Sequence, residues 1–151
     1  MSATIIWDDK ALKKALKRLI EQCPQRTEEA LTQACTDIEA EAKERCPVDT
    51  GELRRSITSD VIKEDEGHYI GRVGTNLDYA VYTHEGTGLY SRTNKGRKDV
   101  PWHYKDEQGK WHTTYGQVAQ PFLQEAADAK SDEIVKYFRR IIRDERANNK
   151  A

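Results

Sequence analysis

Residues 46–57 read CPVDTGELRRSI and lie where the apolar period of the chain changes. Upstream of it, apolar residues recur at helical spacing; downstream they alternate as in strands. Pro47 stops a helix, because it lacks an N–H and its ring clashes with the turn before it. Asp49 or Thr50 can accept backbone N–H groups and open a new turn, with Asp49 the preferred cap. Gly51 relieves crowding or starts that turn. Leu53 and Ile57 then point back to the core. The corner is expected to hinge a helical part against a sheet-forming part, and such segregation argues for an α+β fold.

Two helices are expected before the corner. DDKALKKALKRLIEQC, residues 8–23, carries Leu12, Ala15, Leu16, Leu19, Ile20 and Cys23 on one stripe. Asp8 or Asp9 suits its N-cap, and Lys10, Lys13, Lys14, Lys17 and Arg18 cover its outer face. A second helix is expected from about Thr27, with Glu28 and Glu29 at the positive end of its dipole. Its stripe is Leu31, Ala34, Cys35, Ile38, Ala42 and Cys46. The short QCPQR link allows the two to be one bent element.

Beyond the corner, SITSDVIKED and HYIGRVGTN predict two strands joined near Glu66-Gly67, with Val61 and Ile70 inward. YAVYTHEGTG, residues 79–88, fits either a strand or a short helix. Residues 86–100 read as a mobile, turn-rich loop with Arg92, Lys95, Arg97 and Lys98 against Asp99. PWHYKDEQGKWHTTYG predicts a hairpin with a four-residue loop, Asp106–Gly109. That register sets His103 opposite His112, Tyr104 opposite Trp111, and Lys105 opposite Lys110. Trp102, Tyr104, Trp111 and Thr113 then share one face, and His103, Lys105, Lys110 and His112 the other. Pro121 suits the first turn of a last helix, whose stripe of Leu123, Ala126, Ala127, Ile134, Tyr137, Phe138, Ile141 and Ile142 ends near Arg143. Residues 144–151 read as a frayed tail. The expectation is a single α+β domain over 1–151: N-terminal helices (the first within 1–26), a mostly antiparallel sheet with an aromatic hairpin, and a long C-terminal helix packed on the sheet.

Composition bounds the function. With 36% apolar and 34% charged residues, a modest core sits under a charged surface. A net charge of −1 gives no global field toward nucleic acid or an anionic membrane. Three cysteines (Cys23, Cys35 and Cys46) make an odd set without a CxxC pair, which reads as reduced thiols on helices, made in a reducing cytoplasm. No apolar run approaches the ~20 residues of a membrane span.

Catalytic signatures such as HExxH, GxSxG, a P-loop or GxGxxG are absent. The metal candidate is His103 with His112, which would need His84 or Glu85 as a third ligand and faces opposing lysines. We expect no metal, cofactor or catalytic residue. A single-stranded nucleic-acid binding module is the alternative class: the basic loop could hold phosphates while hairpin aromatics stack on bases.

Three motifs in order carry a resemblance. CPVDTGELRRSI, YAVYTHEGTG and QPFLQEA resemble the small neck and tail-completion proteins that join head to tail in long-tailed phages and prophages. The matching positions are Pro47, Val48, Asp49, Thr50, Gly51, Leu53, Arg54, Ser56 and Ile57; Tyr79, Ala80, Glu85, Gly86 and Thr87; and Pro121, Phe122 and Leu123. Cys46 departs from the small residue that the pattern has there, and the aromatic hairpin falls in its variable region. The resemblance implies a structural virion protein at the head–tail junction, without catalysis. It implies a homo-oligomeric ring, commonly sixfold, around the DNA channel, in contact with other neck and tail-tube proteins. It does not separate a neck ring from a tail-tube terminator. Arg92, Lys95, Arg97 and Lys98 would be placed to meet packaged DNA or a partner.

Overall fold

The computed structural model describes residues 10–65, 68–148 and 150. Helix α1 spans Lys10–Gln22 and buries Leu12 and Leu19. The cap assigned to Asp8 or Asp9 and the turn at Glu66-Gly67 lie outside the described residues. Helix α2, Pro24–Arg45, begins one residue after α1 ends, earlier than the start expected at Thr27. Pro24 explains this: the first helical turn needs no N–H from it. Thr27 is buried in the joint, where its hydroxyl donates to the Cys23 carbonyl at 3.1 Å.

Helix α5, Phe122–Asn148, runs antiparallel to α2. Ion pairs mark the register from one end to the other: Arg45–Glu125 at 3.7 Å, Lys130–Glu41 at 3.9 Å, and Arg26–Glu145. Ala30 and Ala34 keep the α2 surface low, while Ile134 and Phe138 of α5 enter the same core. Ile142 of α5 meets Leu12 and Leu19 of α1 in a smaller cluster. The polar tail expected to fray stays helical to Asn148. It holds no proline or glycine to break the turn, and Glu145 is engaged by both Arg26 and the Cys23 thiol, which donates to Oε2 at 3.3 Å.

Strands β1 (Thr58–Asp65) and β2 (His68–Gly74) form an antiparallel ribbon against α2. Cross-strand pairs Ser59–Val73 and Val61–Gly71 share one face, and Asp60–Arg72 and Ile62–Ile70 share the other. Val61 packs on the core as expected. Ile70 does not: it pairs with Ile62 on the opposite face, half-buried. Gly71 sits where a Cβ would strike Cys35 Sγ and Leu31, so glycine is what lets the ribbon approach α2. Ser59 closes the contact by donating to Glu39 at 2.6 Å.

The α+β class holds, with two differences in packing. Strands β3 (Trp102–Lys105) and β4 (Trp111–Thr114) form a second, separate two-stranded sheet. And α5 packs on α2, which itself covers the β1–β2 ribbon, so the long helix lies on a helix where a sheet was expected. Short helices α3 (Glu52–Ser56) and α4 (Ala80–Glu85) complete the chain; the 79–88 stretch resolves as helix followed by a 3-10 turn, Gly88–Tyr90.

Candidate assembly surface

The corner is built much as its residues suggest, with one exchange. Cys46 caps α2 through its N–H to the Ala42 carbonyl, 2.9 Å away, and Pro47 follows. Gly51 takes a left-handed φ of 79° as N-cap of α3, and its carbonyl accepts from Arg55 N at 3.1 Å. The Thr50 hydroxyl accepts from Glu52 N at 3.4 Å, whereas Asp49 is exposed and accepts no N–H from this turn. Thr50, not Asp49, is therefore the side chain at the start of α3. Leu53 and Ile57 are buried as expected. Ser56 Oγ donates to the Leu53 carbonyl at 2.8 Å and meets Thr75 Oγ1 at 2.6 Å, tying the corner to the end of β2.

The fold brings the three motifs together. Cys46, Leu53, Ile57, Ala80, Phe122 and Leu123 are all buried in one core. Tyr79 lies beside Glu52; desolvation first, then the Glu52 carboxylate, pushes its phenol above the ordinary value. His84 packs edge-on against Phe122, with ring centroids 5.5 Å apart. Its Nδ1 meets Glu85 Oε1 at 2.7 Å, and its buried Nε2 has no partner among the described residues.

Residues 115–120 run antiparallel to 83–89. Gln120 N donates to the Thr83 carbonyl at 2.9 Å, Thr87 N to the Gln117 carbonyl at 2.9 Å, and Leu89 N to the Tyr115 carbonyl at 3.0 Å. Thr87 Oγ1 also accepts from Gln117 N at 2.8 Å. Gly86, at φ 75°, would press a Cβ into Tyr90, Ala119 and Gln117 backbone atoms, so the crossing requires glycine there. The expected loop from residue 86 is thus held through residue 90. Loop geometry proper begins at Ser91, with Arg92 N still anchored on the Glu85 carbonyl at 2.9 Å. Pro121 precedes Phe122 and accepts from Glu125 N at 2.9 Å, as the start of a helix should.

Many side chains in and beside this crossing are apolar and exposed. Tyr82, Leu89, Tyr90, Tyr115 and Val118 are 48–61% exposed, and Trp111 of the adjoining strand is 68% exposed. Almost all large exposed apolar side chains of the described chain fall between residues 79 and 118, while the long helices expose none. Arg92, Lys95, Arg97 and Lys98 border this surface, all exposed; Arg97 pairs with Asp99 at 3.5 Å and lies over Trp102 at 5.4 Å. Sequence reasoning missed the apolar patch. Its signal was Leu89-Tyr90 side by side inside a polar, turn-rich stretch, and Tyr115 and Val118 flanking Gly116 and Gln117.

The hairpin register differs by one residue from the expected one. Lys105 pairs with Trp111, Tyr104 with His112, and His103 with Thr113. Gly109, at φ 83°, and Asp106, which accepts Lys110 N at 2.8 Å, add a residue to the loop. The separate aromatic and basic faces therefore do not form. Lys105 lies over Trp111 at 5.9 Å, and Tyr104 stacks on His112 at 5.2 Å. His112 meets Asp106 at 2.7 Å and no longer faces His103. The Asp106 carboxyl is held below its usual range, chiefly by the His112 bond. Among the described residues, no group of three or more His, Cys, Asp and Glu side chains can hold a metal ion. No described helix is long and apolar enough to cross a membrane.

Of the three thiols expected on helices, Cys35 lies within α2, while Cys23 and Cys46 flank it as N-cap and C-cap. Cys35 and Cys46 are buried, Cys23 is half-buried, and none is bonded to another. Burial first, then the Asp60 carboxylate, pushes the Cys35 thiol up to about 11.

A family model described as "Bacteriophage HK97-gp10, putative tail-component" matches residues 10–86, that is 77 of the 151 residues. The chain belongs to the HK97-gp10-like family. The matched span covers α1, α2, the 46–57 corner, the β1–β2 ribbon and α4. The basic loop, the aromatic hairpin and α5 lie outside it. The resemblance to a structural phage-tail family is thereby borne out. No curated protein and no solved structure matches the chain.

Proposed function

We propose that this member of the HK97-gp10-like family is a non-catalytic building block of the phage head–tail junction. It forms a homo-oligomeric ring around the DNA channel, with other neck and tail-tube proteins on either side. One observation supports this reading beyond the family assignment: nearly all large exposed apolar side chains of the described residues lie between residues 79 and 118, in and beside the 83–90/115–118 crossing. Exposed apolar side chains concentrated in one segment of the chain suit a surface that completes its burial in an assembly. The apolar surface is turned to the neighbouring neck or tail-tube protein, while copies of the chain close into a ring through a heterologous contact whose rotation divides a full turn.

The test is complementation of a phage lacking this protein with the Leu89→Asp, Val118→Asp variant. Both side chains are exposed, so the purified variant is expected to melt as the wild type does. Particle assembly is expected to stop with heads and tails unjoined. Full complementation by a folded variant would sink the reading. The nucleic-acid module is the weaker alternative, because the observed register mixes Lys105 with Trp111 on one face and leaves the hairpin no separate basic track.

A further inference from the structure

The β1–β2 ribbon touches the rest of the molecule through a single face. Ser59, Val61, Gly71 and Val73 meet α2 and the core, and among the described residues no backbone hydrogen bond leaves either strand except to the other. Both long edges of the ribbon are therefore open. Open edges are commonly blunted by charge, proline or bulges. Strand β1 has such protection at its far end only, with Lys63, Glu64 and Asp65 and a bulge between Lys63 and Asp65, while Thr58–Ile62 carries the single charge of Asp60. Strand β2 does not: over seven residues it has no proline and a single arginine, Arg72, with His68 at its start.

The two edges are of opposite sign, β1 acidic and β2 basic. The face away from α2 carries two rows: Ile62 beside Ile70, and Asp60 beside Arg72, whose Nη2 lies 3.2 Å from Asp60 Oδ2. Both isoleucines are only half-buried.

We propose that the β2 edge of one chain pairs antiparallel with the β1 edge of a second copy, so that ribbons from successive copies run on as one sheet. Resting on the homo-oligomeric ring reading above, this names the surface that builds it. The pairing is head-to-tail, as a ring requires. Joining β1 to β1 would bring two acidic strands together, and joining β2 to β2 two basic ones, and pairing like charges across strands is unfavourable. Pairing β2 with β1 of the next copy instead alternates the rows. Arg72 lies between its own Asp60 and the neighbour's, and Ile70 lies between two Ile62 side chains. The charge row then alternates in sign without interruption, and the isoleucines are covered on both sides.

Charge reversal tests the geometry. Asp60→Arg and Arg72→Asp are made singly in the full chain. The pair they break is exposed on both sides, but each reversal also sets like charges opposite within its own ribbon, so each variant is expected to keep the far-ultraviolet dichroism of the wild type and to melt slightly lower. Native mass measurement is expected to give an oligomer for the wild type and about tenfold weaker self-association for each single variant. An equimolar mixture of the two variants is expected to recover the oligomer. In that mixture one chain is basic at both positions 60 and 72 and the other is acidic at both, so opposite charges meet between chains. Slowed amide exchange in β1 and β2 is expected on assembly. If the single variants assemble as the wild type does, or if the wild type assembles with β1 and β2 amides unprotected, edge pairing is wrong and the ring must be built elsewhere. A wild type that stays monomeric to about 1 mM overturns the ring and the edge pairing together.

Discussion

Gly71 carries structural weight through the side chain it lacks. A Cβ there would strike Cys35 Sγ and Leu31, both on α2. Gly71→Ala is expected to cost about 1–3 kcal/mol in urea unfolding, the usual range for overpacking. Cys35→Ala in the same chain should recover part of that loss, and strict additivity of the two changes would show that the sulfur is not the obstacle. The corner gives a second case at this scale. Asp49→Ala is expected to change unfolding free energy by less than about 0.5 kcal/mol, as at any exposed site without a partner. Thr50→Ala should cost no more than about 1 kcal/mol, because its bond to Glu52 N is long and exposed. The sequence shows that a turn starts here and that Leu53 and Ile57 are buried. It does not show which side chain caps the turn, because that depends on the left-handed backbone of Gly51, which places Thr50 and not Asp49 next to the open N–H.

At the scale of elements, legibility follows the length of the repeat. Helices α2 and α5 show a 3.6-residue period over many turns, and their existence and stripes were readable. The β3–β4 register was not, since one extra loop residue at Gly109 moves every side chain to a new partner. Nor was the end of α5, because Glu145 holds Cys23 at the α1–α2 joint and Arg26 of α2 through polar contacts that leave no apolar period. Glu145→Ala is expected to speed amide exchange in Lys10–Gln22 by about two- to fivefold, a modest effect since Arg26 is half-exposed, while the middle of α2 stays protected. Unchanged α1 exchange would mean that the helix is held by Leu12 and Leu19 alone. The α2–β1 joint adds a pH dependence. At Glu39 desolvation works upward, but the bonds from Lys43 and Ser59 outweigh it and hold the carboxyl below 4.5. A depressed carboxyl contributes stability that is present above its unfolded value and lost as pH falls through the folded one. Thermal unfolding of Ser59→Ala should therefore show a shallower loss of stability below about pH 4.5 than the wild type. An identical acid limb would remove Ser59 from the linkage.

For the whole molecule, a formal charge of −1 hides how the charges are sorted. Acidic and basic groups cancel across the long helices, whereas the 91–101 loop keeps four exposed cations within seven residues. Arg97 is partly neutralised by Asp99 and stacked on Trp102, so Arg92, Lys95 and Lys98 are the cations better placed to reach outward. The loop lies outside the family match. If it faces packaged DNA in the particle, its contribution is sequence-independent and set by counterion release, and each phosphate contact adds nearly one to the slope of log affinity against log salt. Replacing Arg92, Lys95, Arg97 and Lys98 together with Gln should leave the melting temperature of the purified protein within a degree or two, as expected for exposed side chains. Particles carrying the variant should lose packaged DNA faster than wild type, and the difference should shrink as salt is raised, because screening weakens the wild-type contact and has little left to weaken in the variant. DNA retention equal to wild type at low salt would place the loop away from the channel and leave it as a rim around the apolar surface, where its charges would govern the rate of partner docking.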